Sequence, residues 1–179
     1  MPTPSIDLVK QVAAVLYRNG DSLDRALKML SDAFSAIDFQ GRRFPFVETD
    51  YYKREMGSGL KRFLLSFETL IDPGCLMEAK TVTQHIEERL SSGGNRTVNL
   101  DIGYLDIFKL MLASRKARSN KIYLGNQVWA DMILYYEKGD YQPFVWSFPD
   151  FKSGIYNRDL KTIRTIYKKQ LKKCRENIE

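Results

Sequence analysis

The stretch NLDIGYLDIFKLMLASRK, Asn99 to Lys116, reads as a strand, a turn and a second strand, and its reading decides the fold. Side chains alternate across a strand, so Val98, Leu100 and Ile102 share one face and Asn99, Asp101 and Gly103 the other. The apolar set belongs to a core. Asn99 and Asp101 then look toward solvent or a cleft, and Gly103 permits a bulge or the close approach of another group. Lys109, Arg115 and Lys116 also stand in or beside apolar runs. We therefore expect this region to help line a pocket.

Working upstream, Ile6 to Tyr17 is β-branched and aliphatic, as a buried strand requires, and ends at the turn signal Asn19-Gly20. Ser22 is the expected N-cap of a helix in which Leu23, Ala26, Leu27, Leu30, Ala33 and Phe34 form one apolar face. Ile37 to Phe46 contains an edge strand or bulge at Pro45, and Leu60 to Phe67 is a further strand. Leu76, Ala79, Thr83, Ile86 and Leu90 share a face of a second helix that stops at Gly93-Gly94, and Arg96 to Tyr104 is the next strand. The order strand, helix, strand, strand, helix, strand predicts a ferredoxin-like βαββαβ antiparallel sheet.

Downstream, strands are expected at Ile107 to Ala113, Lys121 to Leu124, Val128 to Glu137 and Tyr141 to Trp146. Gly125-Asn126 and Lys138-Gly139-Asp140 would supply hairpin turns. A basic amphipathic helix closes the chain, with Leu160, Ile163, Tyr167, Leu171, Cys174 and Ile178 as its apolar stripe. The expectation is an α+β fold in one domain over residues 1–179: a ferredoxin-like half (6–105), a β extension (106–150) and the terminal helix (157–178).

The 179 residues, 44% of them hydrophobic, are enough to bury a core. No apolar run approaches the roughly 20 residues that cross a bilayer, and Met1 to Leu8 lacks the basic start and apolar middle of a signal peptide. A cytoplasmic protein without membrane contact is expected. Cys75 and Cys174 have no paired spacing and read as buried, reduced thiols. With His85 the only histidine, triads needing a His base and multi-histidine metal sites have at most one candidate member. The net charge of +6 is concentrated in Arg158 to Glu179, which holds eight Lys/Arg against three Asp/Glu.

The segments TDYYKREMG (Thr49 to Gly57), LKRFLLSFETLIDP (Leu60 to Pro73), VNLDIGYL (Val98 to Leu105), KIYLGNQVWADMILYY (Lys121 to Tyr136) and PFVWSFPDF (Pro143 to Phe151) together resemble an uncharacterised bacterial family, domain-of-unknown-function family 4416. Its members are sometimes described as GTP-binding proteins, and the resemblance implies no established activity. Three positions depart from the family pattern: Ile102 where Pro is expected, Lys121 for Arg and Asp131 for Glu. The last two keep charge but change reach. The chain has no Gly-Lys-Ser/Thr phosphate loop, and Met56-Gly57-Ser58-Gly59 reads as a turn.

Several residues are candidates for chemistry. Asp131 sits in a strand apolar on both faces and requires a partner or a proton. An ion pair with Lys121 is one reading, and a tuned acid or metal-facing ligand the other; Asp101 and Asp131 are the candidate catalytic residues. Glu48, Asp50 and Glu55, close in sequence, could hold Mg²⁺. Arg62, Lys80, Asn99, Tyr104, Lys109, Lys116, Lys121, Tyr123 and Trp146 are the candidate ligand-binding residues. On the second helix Lys80, Gln84 and Glu87 share a face and read most simply as a surface row, with His85 exposed beside them.

Two functions of different class follow. One is a small enzyme or ligand-binding protein with a pocket for a phosphorylated or nucleotide-like anion. The other is an RNA-binding or other nucleic-acid module using the sheet and the basic C-terminal helix. An adaptor docking through that helix is a third.

Overall fold

The computed structural model describes residues 6–47 and 52–176. Among these residues nine strands form one antiparallel sheet that carries helices on both faces. In chain order the elements are β1 (Val9–Tyr17), α1 (Gly20–Ala33), β2 (Ile37–Gln40), β3 (Phe44–Pro45), α2 (Lys53–Met56), β4 (Lys61–Ile71), α3 (Leu76–Leu90), β5 (Val98–Leu105), β6 (Lys109–Ser114), β7 (Ile122–Gly125), β8 (Val128–Glu137), β9 (Asp140–Pro143), α4 (Pro149–Lys152) and α5 (Asn157–Glu176). The main path runs β2-β4-β1-β5-β6-β8-β7, with β3 beside β4 and β9 beside β8. The class is mixed α+β, as expected, but the sheet is larger than a four-stranded unit.

Strand β1 is buried along its whole length because it pairs with β4 on one side and β5 on the other. Its alternation feeds two cores. Ala13 and Val15 join Phe63 and Leu65 beneath Leu23, Ala26 and Leu30 of α1 and Leu76, Ala79, Ile86 and Leu90 of α3. On the opposite face Val12, Ala14 and Leu64 pack under Leu160, Ile163, Tyr167 and Leu171 of α5. Each buried valine, leucine, isoleucine or phenylalanine among them contributes about 1.5–3 kcal/mol through removal from water. The stripe of α5 is thus used on its own sheet, where α5 forms the second cover.

Lys10 is fully buried within β1, where its ammonium meets the Asp38 carboxylate and donates to Gln170 Oε1 at 2.7 Å. Burial lowers its pKa even against the attraction of Asp38. The contact ties β1 to β2 and α5.

Local chemistry sets several boundaries differently from expectation. Asn19, not Ser22, caps α1: its side chain accepts from Ser22 N–H at 2.9 Å. The β7–β8 hairpin turns on Asn126 and Gln127, both with positive φ, rather than on Gly125-Asn126. A bulge between Tyr123 and Gly125 then sets Ile122 opposite Ala130. Strand β9 ends at Pro143, short of Trp146. Neither cysteine is buried as expected; Cys75 is exposed and Cys174 half-buried, and both are free. Among the described residues no helix is long and apolar enough to cross a membrane.

Candidate functional site, a cleft where the sheet splits

Strands β5 and β6 pair over three residue pairs only, from Leu105↔Leu110 to Gly103↔Leu112. Beyond Gly103 they diverge, although β5 stays paired with β1 as far as Val98 and β6 with β8 as far as Ser114. Gly103 is the vertex: a Cβ there would stand 1.9 Å from the Met111 carbonyl oxygen. The main chain of β5 is left open on one side, and α3 satisfies it in place of a strand. Leu100 N–H donates to Glu87 Oε1 at 2.5 Å, and Lys80 Nζ donates to Leu100 O at 3.0 Å. Lys80, Gln84 and Glu87 are therefore no surface row, since Lys80 and Glu87 are buried. His85 is exposed.

The divergence opens a cleft of about 560 Å³. Its walls include Arg62 from β4, Lys80 and Glu87 from α3, Asn99 and Asp101 from β5, Ser114 to Lys116 at the end of β6 and just beyond it, and Asp131 from β8. Phe46, Tyr52 and Phe148 add aromatic surface.

Arg62 is buried at one end. It donates to Asp101 Oδ2 at 2.5 Å and to Asp150 Oδ2 at 2.9 Å, while its guanidinium lies over the rings of Phe46 and Phe151. Burial opposes its charge, but Asp150 and Asp101 outweigh that cost and raise its pKa further. At the other end Lys121 Nζ lies 3.1 Å from Asp131 and donates to Ser114 Oγ at 2.8 Å. Asn120 Nδ2 donates to the second Asp131 oxygen at 2.9 Å, so both carboxylate oxygens are engaged.

Arg96 grips Glu55 through Nε and Nη2, each at 2.8 Å, with its backbone N–H adding a third contact at 3.1 Å. These hydrogen bonds hold the Glu55 carboxyl below its ordinary range. Of the acidic cluster considered for Mg²⁺, Glu55 is thus committed to Arg96, and Glu48 and Asp50 lie outside the described residues. Among the described residues no three metal-ligating side chains gather.

The cleft brings together Arg62, Lys80, Asn99, Asp101, Lys116, Lys121 and Asp131 from the sequence-derived candidates. Four others lie elsewhere. Tyr104 packs beside the core under α1 and α3, Lys109 pairs with Asp106, and Tyr123 of β7 is exposed against Trp129 of β8. Trp146 stacks on Phe144 at 4.6 Å and donates to Met132 O at 2.9 Å. Sequence reasoning missed Arg96, Arg118 and Asp150. The loop pattern SRKAR, Ser114 to Arg118, carried a signal for Arg118; Asp150, inside an aromatic run, carried none that distinguishes it from a helix-start residue.

Burial raises the pKa of Glu87 against the pull of Lys80, the Leu100 N–H and Arg96. A raised folded-state value means the folded protein holds this proton more tightly than the unfolded chain does. Stability therefore falls as pH climbs from the unfolded carboxylate range, about 4.3, through the folded pKa. Glu87→Gln removes that slope, so the stability of the variant relative to the parent should rise with pH over this window. Denaturant titrations across the acid range measure it, and a pH-independent difference would show that Glu87 does not titrate there.

Fold and site together define a mixed α+β protein with a charged cleft in a split antiparallel sheet. The chain belongs to the family described as Domain of unknown function (DUF4416), whose family model matches residues 7–167. A search of curated proteins finds no match to it.

Proposed function

We propose that the cleft binds a phosphorylated, nucleotide-like anion, as a small enzyme or ligand-binding protein of the cytoplasm. One observation carries this reading. Among the described residues, five buried polar atoms without a hydrogen-bond partner line the cleft: Arg62 Nε, Gln84 Oε1, Asn99 Nδ2, Arg115 Nε and Asp150 Oδ1. Each costs about 1–3 kcal/mol if nothing meets it, so their gathering around one cavity supports a bound polar molecule. Seven cationic side chains line the cleft against five acidic ones, which favours an anion. Its volume is within the range of small-molecule sites, and the aromatic wall suits a planar group.

In this reading Arg115, Lys116 and Arg118 neutralise the anion and Asn99 orients it. Asp101 and Asp131 hold Arg62 and Lys121 in place. A proton-transfer role falls to Asp101, which retains partial exposure to the cleft. Free thiols at Cys75 and Cys174 suit a reducing cytoplasm. We further read the order β2-β4-β1-β5, with α1 and α3 on one face, as a ferredoxin-like unit that β6 to β9 extend. The nucleic-acid alternative retains only the outer, basic face of α5, because helices cover both faces of the sheet.

A thermal-shift screen of nucleotides and phosphorylated metabolites, with and without Mg²⁺ and with a short RNA in parallel, tests the proposal. A ligand at a hundred times its Kd should stabilise by about 2.7 kcal/mol, a midpoint rise of about 5–10 °C at this chain length. Arg118 is exposed, so Arg118→Glu should weaken that ligand at least tenfold, about 1.4 kcal/mol, and leave the unliganded midpoint unchanged. A flat small-molecule screen overturns the reading, and a shift by RNA alone that fades with salt transfers it to the nucleic-acid class.

A further inference from the structure

We infer that Asp150 is a specificity residue, its free carboxylate oxygen receiving N–H donors of a planar nitrogen heterocycle at the end of the cleft opposite the anion. The inference rests on the nucleotide-like reading above and adds which end of the ligand goes where.

Asp150 is 1% exposed, and its two oxygens differ in their surroundings. Oδ2 accepts from Arg62 Nη1 at 2.9 Å and from Tyr156 O–H at 3.0 Å. Oδ1 is buried and accepts from nothing among the described residues, yet the residue lines the cleft. A carboxylate oxygen accepts only, so what completes it must carry a donor. The unpartnered nitrogens Arg62 Nε, Asn99 Nδ2 and Arg115 Nε have the reverse requirement, an acceptor.

The sheet sets Asp150 and Arg115 apart. Arg62, which holds Asp150, is on β4, whereas Arg115 follows β6; β1 and β5 lie between. Three strand spacings of about 4.8 Å amount to roughly 14 Å before the split widens the gap. That is the length of a mononucleotide rather than of a phosphate. A phosphate next to Asp150 would meet a carboxylate, so the anion belongs at the Arg115 end. At the Asp150 end, Phe46 and Phe148 line the cleft beside Arg62 and supply surface for a ring.

Asp150→Asn makes the test nearly isosteric. Its amide oxygen is retained by the two donors at the Oδ2 position, which turns an N–H₂ group toward the cleft and converts an acceptor into a donor. Calorimetric titrations of the full chain would use inorganic pyrophosphate and the four ribonucleoside monophosphates against parent and variant. The expected result is that at least one mononucleotide binds the parent tenfold or more tighter than pyrophosphate does. Asp150→Asn should abolish that advantage and leave pyrophosphate unchanged. A mononucleotide affinity unaltered in the variant, or no advantage over pyrophosphate in the parent, overturns the assignment and leaves the anion cleft standing. Failure of every probe removes both.

A measurement on the parent protein alone covers a variant that does not fold. Each binding mononucleotide is compared with an analogue whose N–H donors on the ring are replaced by C–H or N-methyl groups. A loss of tenfold or more supports the role of Asp150, and equal binding overturns it.

Discussion

Replacing Arg62 by Leu is expected to destabilise the protein by about 3–5 kcal/mol, because it leaves two carboxylates without their shared cation. Asp150 is the costlier of the two, being almost wholly enclosed, while Asp101 keeps some access to the cleft. The guanidinium also lies over two rings, Phe46 at 5.5 Å and Phe151 at 5.3 Å, and that packing is lost with it. Against a total stability of about 5–15 kcal/mol the change is large. It should appear in thermal melts as a midpoint drop on the order of 10 °C. The informative control is the triple change Arg62→Leu, Asp101→Asn, Asp150→Asn. Removing the charges together should recover part of the loss, since much of the penalty is the stranded charge rather than the missing bond. No recovery in the triple variant would assign the loss to packing alone.

Gly103→Ala should be nearly as damaging, for a different reason. A Cβ at this position meets the Met111 carbonyl oxygen at 1.9 Å and Leu112 Cδ2 at 2.7 Å. A leucine methyl can turn aside, but a backbone oxygen moves only with its strand. Overpacking in a well-filled interior costs about 1–3 kcal/mol, and a clash with main chain belongs at or above the top of that range. The three residue pairs next to Gly103 are the β5–β6 ladder that joins one half of the sheet to the other. The variant should therefore show faster amide hydrogen exchange in β6 along with a lower denaturation midpoint. Protection of β6 equal to that of the parent would mean the two strands tolerate a wider approach.

Both effects bear on how much of this molecule was legible in the chain. The alternation of Val98 to Gly103 identified β5 and its two faces, and Gly103 stood out as a point of close approach; the structure places a strand and a vertex there. The apolar faces of α1, α3 and α5 were equally readable, since a spacing of three to four residues is a local property. Turn chemistry was less so. Asn126-Gln127 won over Gly125-Asn126 because a bulge after Tyr123 takes up one residue. That choice depends on how β8 is held by β6, not on the turn itself.

The cleft was half legible. A carboxylate in an apolar strand needs a partner or a proton, an ion pair with Lys121 is one of the two readings of Asp131, and the two side chains lie 3.1 Å apart. Tyr123, two residues from Lys121, lies outside the cleft because β7 ends the main path of the sheet, and Trp146, beyond β9, stacks on Phe144 outside it.

Sequence by itself determined the local periodicities: which residues form strands and helices, which face of each is apolar, and where a charge among apolar neighbours would need company. Only the tertiary structure decided which company. Arg62 meets Asp101 and Asp150 across 39 and 88 residues, and Arg96 meets Glu55 across 41. The physical reason is one of range. A helix or strand period is set by bonds and sterics within a few residues, whereas a partner for a buried charge is chosen by the path of the whole chain. The split between β5 and β6 is of the second kind, since Lys80 and Glu87 take the place of a strand only because α3 lies across that edge.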